Sequence, residues 1–298
     1  MNEAVIEHEV DFVSPRARML RRFFSNPAGV IPAIFLVVLA ATAITFFFLS
    51  WKHVPFPSDP NQTNLAQKLL PPSAAHPLGT DNLGRDVWTR LLHGTYISLT
   101  VGFVAVVVSL TIGIIVGAVS GYLGGWIDNV FMRIVDALMC FPTFPLILTV
   151  VAYLGPSIWN VIVVIGLVSW TGTARLVRAE FLTLRESEYV RAAKAMGQNR
   201  LAIIFRHILP NAAAPILVTA VLGVPGAILT EAGLSYLGFG VQPPQATWGN
   251  IITDGKVYIL EAWWLILFPG LAILLTALAF YLTGDALRKA AQTRTERK

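Results

Sequence analysis

The stretch VIPAIFLVVLAATAITFFFLS, residues 30–50, carries no charged side chain in 21 consecutive positions. About 20 apolar residues in a helix cross the roughly 30 Å hydrocarbon core of a bilayer. The stretch is too long for the apolar region of a signal peptide, and no convincing small-residue cleavage site follows it. We therefore expect residues 30–50 to be a retained transmembrane helix.

The rest of the chain has the same character. It is 55% hydrophobic and only 13% charged, whereas soluble domains carry about 25% charged residues. A chain so poor in charge predicts an all-α integral membrane protein with six transmembrane helices. Pro142 and Pro145 interrupt the third apolar run, which predicts a kinked span. The five further runs are residues 98–123, 134–154, 157–174, 212–233 and 263–284.

The positive charges predict the orientation of these spans. With the N-terminus inside, the inner segments hold 17 of the 22 Lys and Arg residues. Basic residues concentrate in cytoplasmic segments, so both termini are expected in the cytoplasm. This excess also explains the pI near 9.5 without nucleic acid as a partner. The single cysteine, Cys140, excludes an internal disulfide, and the scattered histidines have no metal-ligand spacing.

Small residues recur along the second span. Gly113, Gly117 and Gly121 follow one another at intervals of four and therefore lie on one helix face. Small residues let two helix backbones approach closely in a membrane. The pattern indicates a tight helix seam, within this chain or between subunits, or else ordinary packing of the bundle.

The longest inner segment, residues 175–211, reads RLVRAEFLTLRESEYVRAAKAMGQNRLAIIFRHILPN. Ser187 is suited to cap a helix, Gly197 to end it, and Asn199 to cap a second helix that ends before Pro210. One apolar face of the first helix is predicted to hold Tyr189, Ala192, Ala193 and Met196. Such a helix either docks into a groove on a partner or packs back on its own bundle.

This segment resembles the EAA loop of ABC importer permeases. The resemblance rests on Ala192-Ala193, on Gly197 after three intervening residues, and on Leu209-Pro210. Arg191 stands at the family's glutamate position and His207 at its isoleucine position. In that family the loop forms the coupling helix that fits a cleft on the ATPase subunit. The resemblance implies that the ATPase contacts Tyr189, Arg191, Ala192, Ala193, Met196, Gly197, Leu209 and Pro210.

Other segments resemble the C-type subunit of the dipeptide and oligopeptide permeases. They are residues 78–94, 132–142, 231–250 and 284–288, although Ala286 replaces a glycine usual in relatives. The resemblance implies a type I (MetI-like) permease core, residues 98–284, containing the coupling loop 175–211. An additional first span and outer loop, residues 30–97, precede the core. Cytoplasmic tails, residues 1–29 and 285–298, complete the expected organisation.

The resemblance also implies the partners. A homologous B-type permease would form a heterodimer with this chain, and each would supply half of the pathway in the bacterial inner membrane. Two ATPase subunits would bind ATP and magnesium, and an extracytoplasmic binding protein would deliver peptides. This chain would hold no cofactor and perform no catalysis. The cargo stays open among dipeptides, oligopeptides, nickel complexes, glutathione and other small peptides.

One segment has the spacing of a phosphate-binding motif but lacks the residues that bind phosphate and magnesium. Residues 79–84 have the glycine spacing of a P-loop. Arg85 and Asp86 stand where Lys and Ser or Thr are required to hold phosphate and magnesium, and Asp86 would repel a triphosphate. The segment also falls on the predicted outer side, away from cytoplasmic ATP. ATP hydrolysis is therefore expected from a partner.

Three charges near the spans are candidates for the translocation pathway. Arg133 and Asp136 are three residues apart, so they form either a gate or a structural ion pair. Glu231, at the predicted outer end of span five, either faces the pathway or is solvated at the interface. Trp263 and Trp264 are predicted to lie in an aromatic belt at the membrane surface.

Two rival functions make different demands on the sequence. A secondary transporter driven by an ion gradient should carry carboxylates or histidines within its spans as a relay, and it should lack an EAA-type loop. An intramembrane enzyme should carry paired catalytic groups at membrane depth. Only Asp136 and Glu231 approach the first pattern, and the sequence shows no instance of the second.

Overall fold

The computed structural model describes residues 15–52 and 54–292, which are almost entirely helical. The isolated bridge between Thr80 and Asp86 is the only strand-type pairing among these residues. In chain order the helices are α1 (Pro15–Phe24), α2 (Pro27–Trp51), α3 (Val87–Leu123), α4 (Gly125–Met139), α5 (Thr143–Leu154), α6 (Ile158–Leu184), α7 (Glu188–Ala195), α8 (Arg200–Ala202), α9 (Leu209–Tyr236), α10 (Trp248–Gly255) and α11 (Trp264–Gln292).

The apolar helices confirm a multi-pass membrane protein. Within the described residues, five helical segments are long and apolar enough to cross a membrane, and the bent pair α4–α5 raises the number to six when it is counted as one span. Their lengths of 25 to 37 residues exceed the minimum of about 20 for a bilayer. The single segments are Pro27–Trp51, Val87–Leu123, Ile158–Leu184, Arg200–Tyr236 and Trp264–Ala291.

The third apolar run is broken rather than kinked. α4 and α5 meet at an angle of 84°. The bend was predicted, but its angle is much larger than that of a kinked span. The residue before a proline avoids the helical conformation, and Pro142 itself has an extended backbone with ψ of 121°. Pro145 lies in the first turn of α5, where a helix does not use the missing N–H group.

The second span begins earlier than the sequence indicated. α3 starts at Val87 instead of residue 98. Asp86 caps it, because its carboxylate accepts hydrogen bonds of 2.8 Å from both the backbone N–H and the hydroxyl of Thr89. Arg90 and His93 gave the first three turns a polar appearance in the sequence, yet both side chains are buried.

The helix after the inner loop is also longer than predicted. It was expected to end before Pro210, but it passes through a π-helical turn, Ile203–Ile208, directly into α9. Proline lacks an N–H group, and its ring collides with the carbonyl four residues earlier in a regular helix. The wider π turn removes this conflict, so Pro210 begins α9 instead of ending its predecessor.

The core of the bundle is the long contact between α3 and α6, with α9 packed against both. One buried cluster along this contact includes Val101, Val161 and Ile165. α2 lies at the periphery and packs on α3 and α11. Many apolar side chains of α2 are exposed, including Ile31, Val37 and others along its length, which is the surface expected where lipid covers a helix.

Candidate functional site

The inner loop presents one buried face and one exposed face. α7 lies at the end of the bundle where α3 and α6 terminate, and its Val190 and Ala193 are almost fully buried. They belong to one cluster with Phe181 of α6 and Ile208 of the π turn. α7 is therefore packed onto its own bundle through one side.

The opposite side of α7 is open. Tyr189 is 41% exposed and Met196 72% exposed, and Arg191 and Ala192 are exposed beside them. Ala193, in contrast, is only 1% exposed. The predicted apolar face is thus corrected at this residue: Ala193 packs inward, whereas its neighbour Ala192 lies on the outward surface.

The residues that follow α7 turn the chain sharply. Gly197 has a φ of +73°, a left-handed conformation that favours glycine, as the sequence predicted. Asn199 then caps α8 by accepting a hydrogen bond of 3.2 Å from the N–H of Leu201. Leu209 is half-buried and Pro210 is exposed at the start of α9. Both lie beyond the π turn instead of on α7.

The glycines of α3 form a seam with α6 inside this chain. A Cβ atom on Gly113 would lie 2.6 Å from the Cβ of Thr173, one on Gly117 would lie 2.6 Å from the carbonyl oxygen of Ala174, and one on Gly121 would lie 2.7 Å from the Cβ of Phe181. Real Cβ atoms do not approach so closely, so each position requires glycine while the helices stay at this distance.

A second connection joins α4 to α6, and the sequence analysis missed it. Both nitrogens Nε and Nη2 of Arg178 donate to the carboxylate of Asp128, at 2.5 and 2.6 Å. Ser120 of α3 donates to the same carboxylate. The Asp128 side chain is 13% exposed and that of Arg178 is 32% exposed. Fifty positions separate the two residues, so no local pattern indicates the pair.

The predicted pair of Arg133 and Asp136 does not form. Asp136 accepts a hydrogen bond of 2.5 Å from Nη2 of Arg175 on α6. Both side chains of that pair are about half exposed, at 48% and 51%. Arg133 is exposed on α4 and has no ion pair among the described residues. Asp136 thus connects α4 with α6, parallel to the connection through Asp128.

Glu231 is neither solvated nor at an open surface. It is 1% exposed, and its Oε1 accepts hydrogen bonds from the hydroxyls of Ser235 at 2.7 Å and Thr247 at 3.1 Å. Thr247 caps α10. Glu231 therefore fastens the loop after α9, together with the start of α10, to the end of span five. Of the two sequence alternatives for this residue, solvation at the interface was wrong, and a position facing the pathway stays a prediction.

At the same end of the bundle, four charged side chains form a buried network. Arg85 pairs with Asp81 at 2.6 Å and with Asp254 of α10 at 3.0 Å. The guanidinium of Arg90 on α3 lies 3.6 Å from the carboxylate of Asp81 and 3.7 Å from that of Asp254. Burial raises the pKa of Asp254 and outweighs the two arginines, which lower it.

The glycine-rich segment 79–84 lies at this end of the fold, where it forms hydrogen bonds within the chain. The backbone N–H of Gly84 donates to Asp81. Trp264 is 4% exposed and its indole nitrogen donates to the carbonyl of Thr80 at 3.1 Å. Trp264 therefore lies in the core and not in the predicted aromatic belt, while Trp263 is 50% exposed.

Comparison with known protein families gives two matches on this chain. The family described as the binding-protein-dependent transport system inner membrane component matches residues 109–297. The N-terminal transmembrane domain of oligopeptide transport permease C matches residues 14–72. The two matched regions do not overlap, and together they cover most of the chain.

Individual relatives cover nearly the whole chain. A dipeptide transport system permease protein of Alkalihalophilus pseudofirmus is 42% identical over 86% of this chain and 84% of its own length. A permease named for D,D-dipeptide transport in Escherichia coli is 40% identical over 91% and 89%. A glutathione transport system permease protein of Pectobacterium atrosepticum is 39% identical over 93% and 90%.

A solved structure shows the same fold. An inward-facing structure of the MetNI methionine ABC transporter contains a chain that aligns with a TM-score of 0.54. The alignment covers 68% of this chain and 97% of that one, at 18% identity. The expected type I permease core is therefore confirmed as a fold.

Proposed function

Because the chain belongs to the family of binding-protein-dependent transport system inner membrane components, we propose that it forms half of a pathway for short peptides in an ATP-driven importer. The observation that carries this proposal is the division of α7 into a side anchored on α6 and a side that is exposed in the described part of the chain. A helix fixed to the spans and open outward can transmit a push from a docked protein.

The coupling surface in this proposal is smaller than the sequence indicated. It comprises Tyr189, Arg191 and Ala192 on α7, with Met196 and Gly197 directly after the helix, and all five are exposed. Ala193 serves it indirectly, because its packing on Phe181 and its neighbours holds α7 against α6. Leu209 and Pro210 lie outside this surface and support it by starting α9 immediately after the π turn.

Movement of α7 would reach the spans through α6. The glycine seam holds α3 on α6, and the pair of Asp128 with Arg178 holds α4 on the same helix. We propose that α3, α4, α6 and α7 move as one unit. The direction of this movement is proposed to change at the bend between α4 and α5. Arg133 and Asp136, exposed on α4 before this bend, are proposed to face the pathway.

The energy source and the partners follow from the family. ATP and magnesium are proposed to bind to two partner ATPase subunits, because residues 79–86 lack the P-loop lysine and hydroxyl. A B-type permease is proposed to complete the pathway, and an extracytoplasmic binding protein to deliver cargo. The excess of Lys and Arg in the predicted inner segments supports cytoplasmic termini, and the bacterial inner membrane is proposed from the bacterial relatives.

Short peptides are proposed as the cargo because the relatives named above share that chemistry. Their names specify a dipeptide, a D,D-dipeptide and glutathione, all of them small and peptide-bonded. An ion-gradient transporter remains the alternative function. It finds less support, because Glu231 is fixed in a loop anchor instead of standing free within a span.

The pair of neighbouring alanines allows a direct test of the coupling surface. We would purify the complex with its ATPase subunits and measure ATPase activity stimulated by peptide-loaded binding protein. Ala192→Asp places a charge on the outward face without burying it, so stimulated hydrolysis should fall at least about 10-fold, corresponding to about 1.4 kcal/mol of lost coupling. Ala202→Asp, an exposed alanine of α8, should change it less than about twofold.

The assignment of this surface would fail if Ala192→Asp kept full stimulation and full retention of the ATPase subunits. Ala193→Asp is unsuitable as a probe of docking, because it buries a charge in the bundle and damages the fold itself.

A further inference from the structure

A cavity lies at the junction of α3 with the inner loop, on a different side of α7 from the coupling surface. Its volume is about 420 Å³, which is sufficient for a phosphate group with its neighbouring atoms. Its lining combines the end of a transmembrane helix with the turn between α7 and α8. The lining residues are Tyr122, Leu123, Lys194, Gln198, Arg200 and Ile203.

Two cations in this lining lack a carboxylate partner. The Lys194 ammonium lies 5.8 Å above the ring of Tyr122 and donates a long hydrogen bond of 3.5 Å to the carbonyl of Arg185. Neither Lys194 nor Arg200 forms an ion pair within the described part of the chain. The nearby carboxylate of Glu186 is already engaged by Arg185 and Arg191. The cavity therefore has a positive charge that no carboxylate among residues 15–52 and 54–292 pairs with.

The cavity also offers a neutral donor in a fixed position. The side-chain oxygen of Gln198 is held by the ring nitrogen Nε2 of His207 at 2.8 Å. The amide nitrogen of Gln198, a residue that lines the cavity, remains available as a donor. Two cations and one amide donor form a suitable set for phosphate oxygens, which accept charge-assisted hydrogen bonds.

Two exposed leucines flank the cavity. Leu123, at the last residue of α3, is 44% exposed, and Leu201 is 61% exposed. Leu123 lines the cavity and Leu201 follows the lining residue Arg200, so an acyl chain could continue from the cavity along these exposed leucines. Lys194 is turned toward Tyr122 and away from the outward face of α7.

We propose that this cavity binds the phosphate of an anionic phospholipid from the leaflet on the α7 side. Basic pockets at this level of membrane proteins bind anionic headgroups. The bound lipid would bridge the end of α3 to the turn after α7, and it would thereby steady the loop that carries the coupling surface. The site is separate from the peptide pathway and from the residues assigned to the ATPase.

The test measures lipid binding instead of transport. The intact complex would be delipidated in detergent, and phosphatidylglycerol or phosphatidylcholine would be titrated while native mass spectrometry counts bound lipids. The double variant Lys194→Gln with Arg200→Gln should weaken phosphatidylglycerol binding at the saturable site about 10-fold or more and leave phosphatidylcholine unaffected. The control is Arg22→Gln with Arg206→Gln, which removes the same charge from two exposed sites and should change binding less than about twofold.

Three results would overturn the proposal. Equal phosphatidylglycerol binding by both double variants would show that no cavity site exists. Displacement of the lipid by millimolar inorganic phosphate alone would assign the cavity to a free ion. Loss of the ATPase subunits from the Lys194 and Arg200 variant, with lipid binding intact, would show that an acidic side chain of the partner occupies the cavity.

Discussion

The glycine seam between α3 and α6 offers a quantitative prediction. A Cβ added to Gly117 would lie 2.6 Å from the carbonyl oxygen of Ala174 and 2.7 Å from the Cβ of Val177. Ordinary contact begins at 3.4 Å, so Gly117→Ala requires the helices to separate by about 0.8 Å. The opposing atoms belong to backbone and to a β-branched side chain, neither of which can rotate away.

The expected cost is that of overpacking a well-fitted core, about 1–3 kcal/mol. Each kcal/mol lowers the melting temperature of a chain of this size by about 2–4 °C. Gly172→Ala and Gly226→Ala are matched controls, because a Cβ at either position meets nothing within 4 Å. In a helix these changes are neutral or favourable by up to about 1 kcal/mol.

Thermal unfolding of the detergent-solubilised complex, followed by loss of the monodisperse chromatographic peak, would give the comparison. Gly117→Ala should melt several degrees below wild type, while both controls should melt at or above it. Equal melting temperatures for Gly117→Ala and the two controls would refute the argument that this glycine sets the helix distance.

Three further predictions concern the ion pairs and the loop anchor. Asp128→Asn should lower the free energy of unfolding by about 2–4 kcal/mol, because it leaves the partly buried Arg178 without its carboxylate. Asp136→Asn removes an exposed pair and should lower it by no more than about 1 kcal/mol. The unfolding midpoints of the two variants test this difference. Glu231→Gln keeps an acceptor for the two hydroxyls, so limited proteolysis of the loop after α9 should resemble wild type, whereas Glu231→Ala should accelerate cleavage. Because the pKa of Asp254 is raised, the folded state binds its proton more tightly than the unfolded state does. The free energy of unfolding should therefore decrease as pH rises from 3.8 through the folded-state pKa of Asp254. Asp254→Asn should reduce this pH dependence of the melting temperature.

Much of the fold could be predicted from the sequence, because apolar runs of about 20 residues have few alternatives in a bilayer. The ends of the spans could not. Arg90 and His93 made the first turns of α3 look like a polar loop, since their burial depends on partners distant in sequence, such as Asp254 and Phe56. Pro210 looked like a helix end, because a π turn has no sequence signature.

The candidate coupling site was predicted in its location but not in its orientation. Spacing alone placed Ala192 and Ala193 on one face of α7. The structure divides them because Val190, which the spacing argument left out, is the residue that packs deepest and fixes the rotation of the helix. The link between Asp128 and Arg178 could not be found by any local rule, because it joins residues on α4 and α6.

We expect this chain to carry peptide only as part of an ATP-driven importer. The most direct measurement is uptake of a labelled dipeptide into proteoliposomes that contain the complete complex, with its binding protein outside. ATP in the lumen, on the side of α7, should start uptake, and ionophores that collapse proton and sodium gradients should leave it unchanged. Uptake driven by an imposed ion gradient in the absence of ATP would contradict the account and identify a secondary transporter instead.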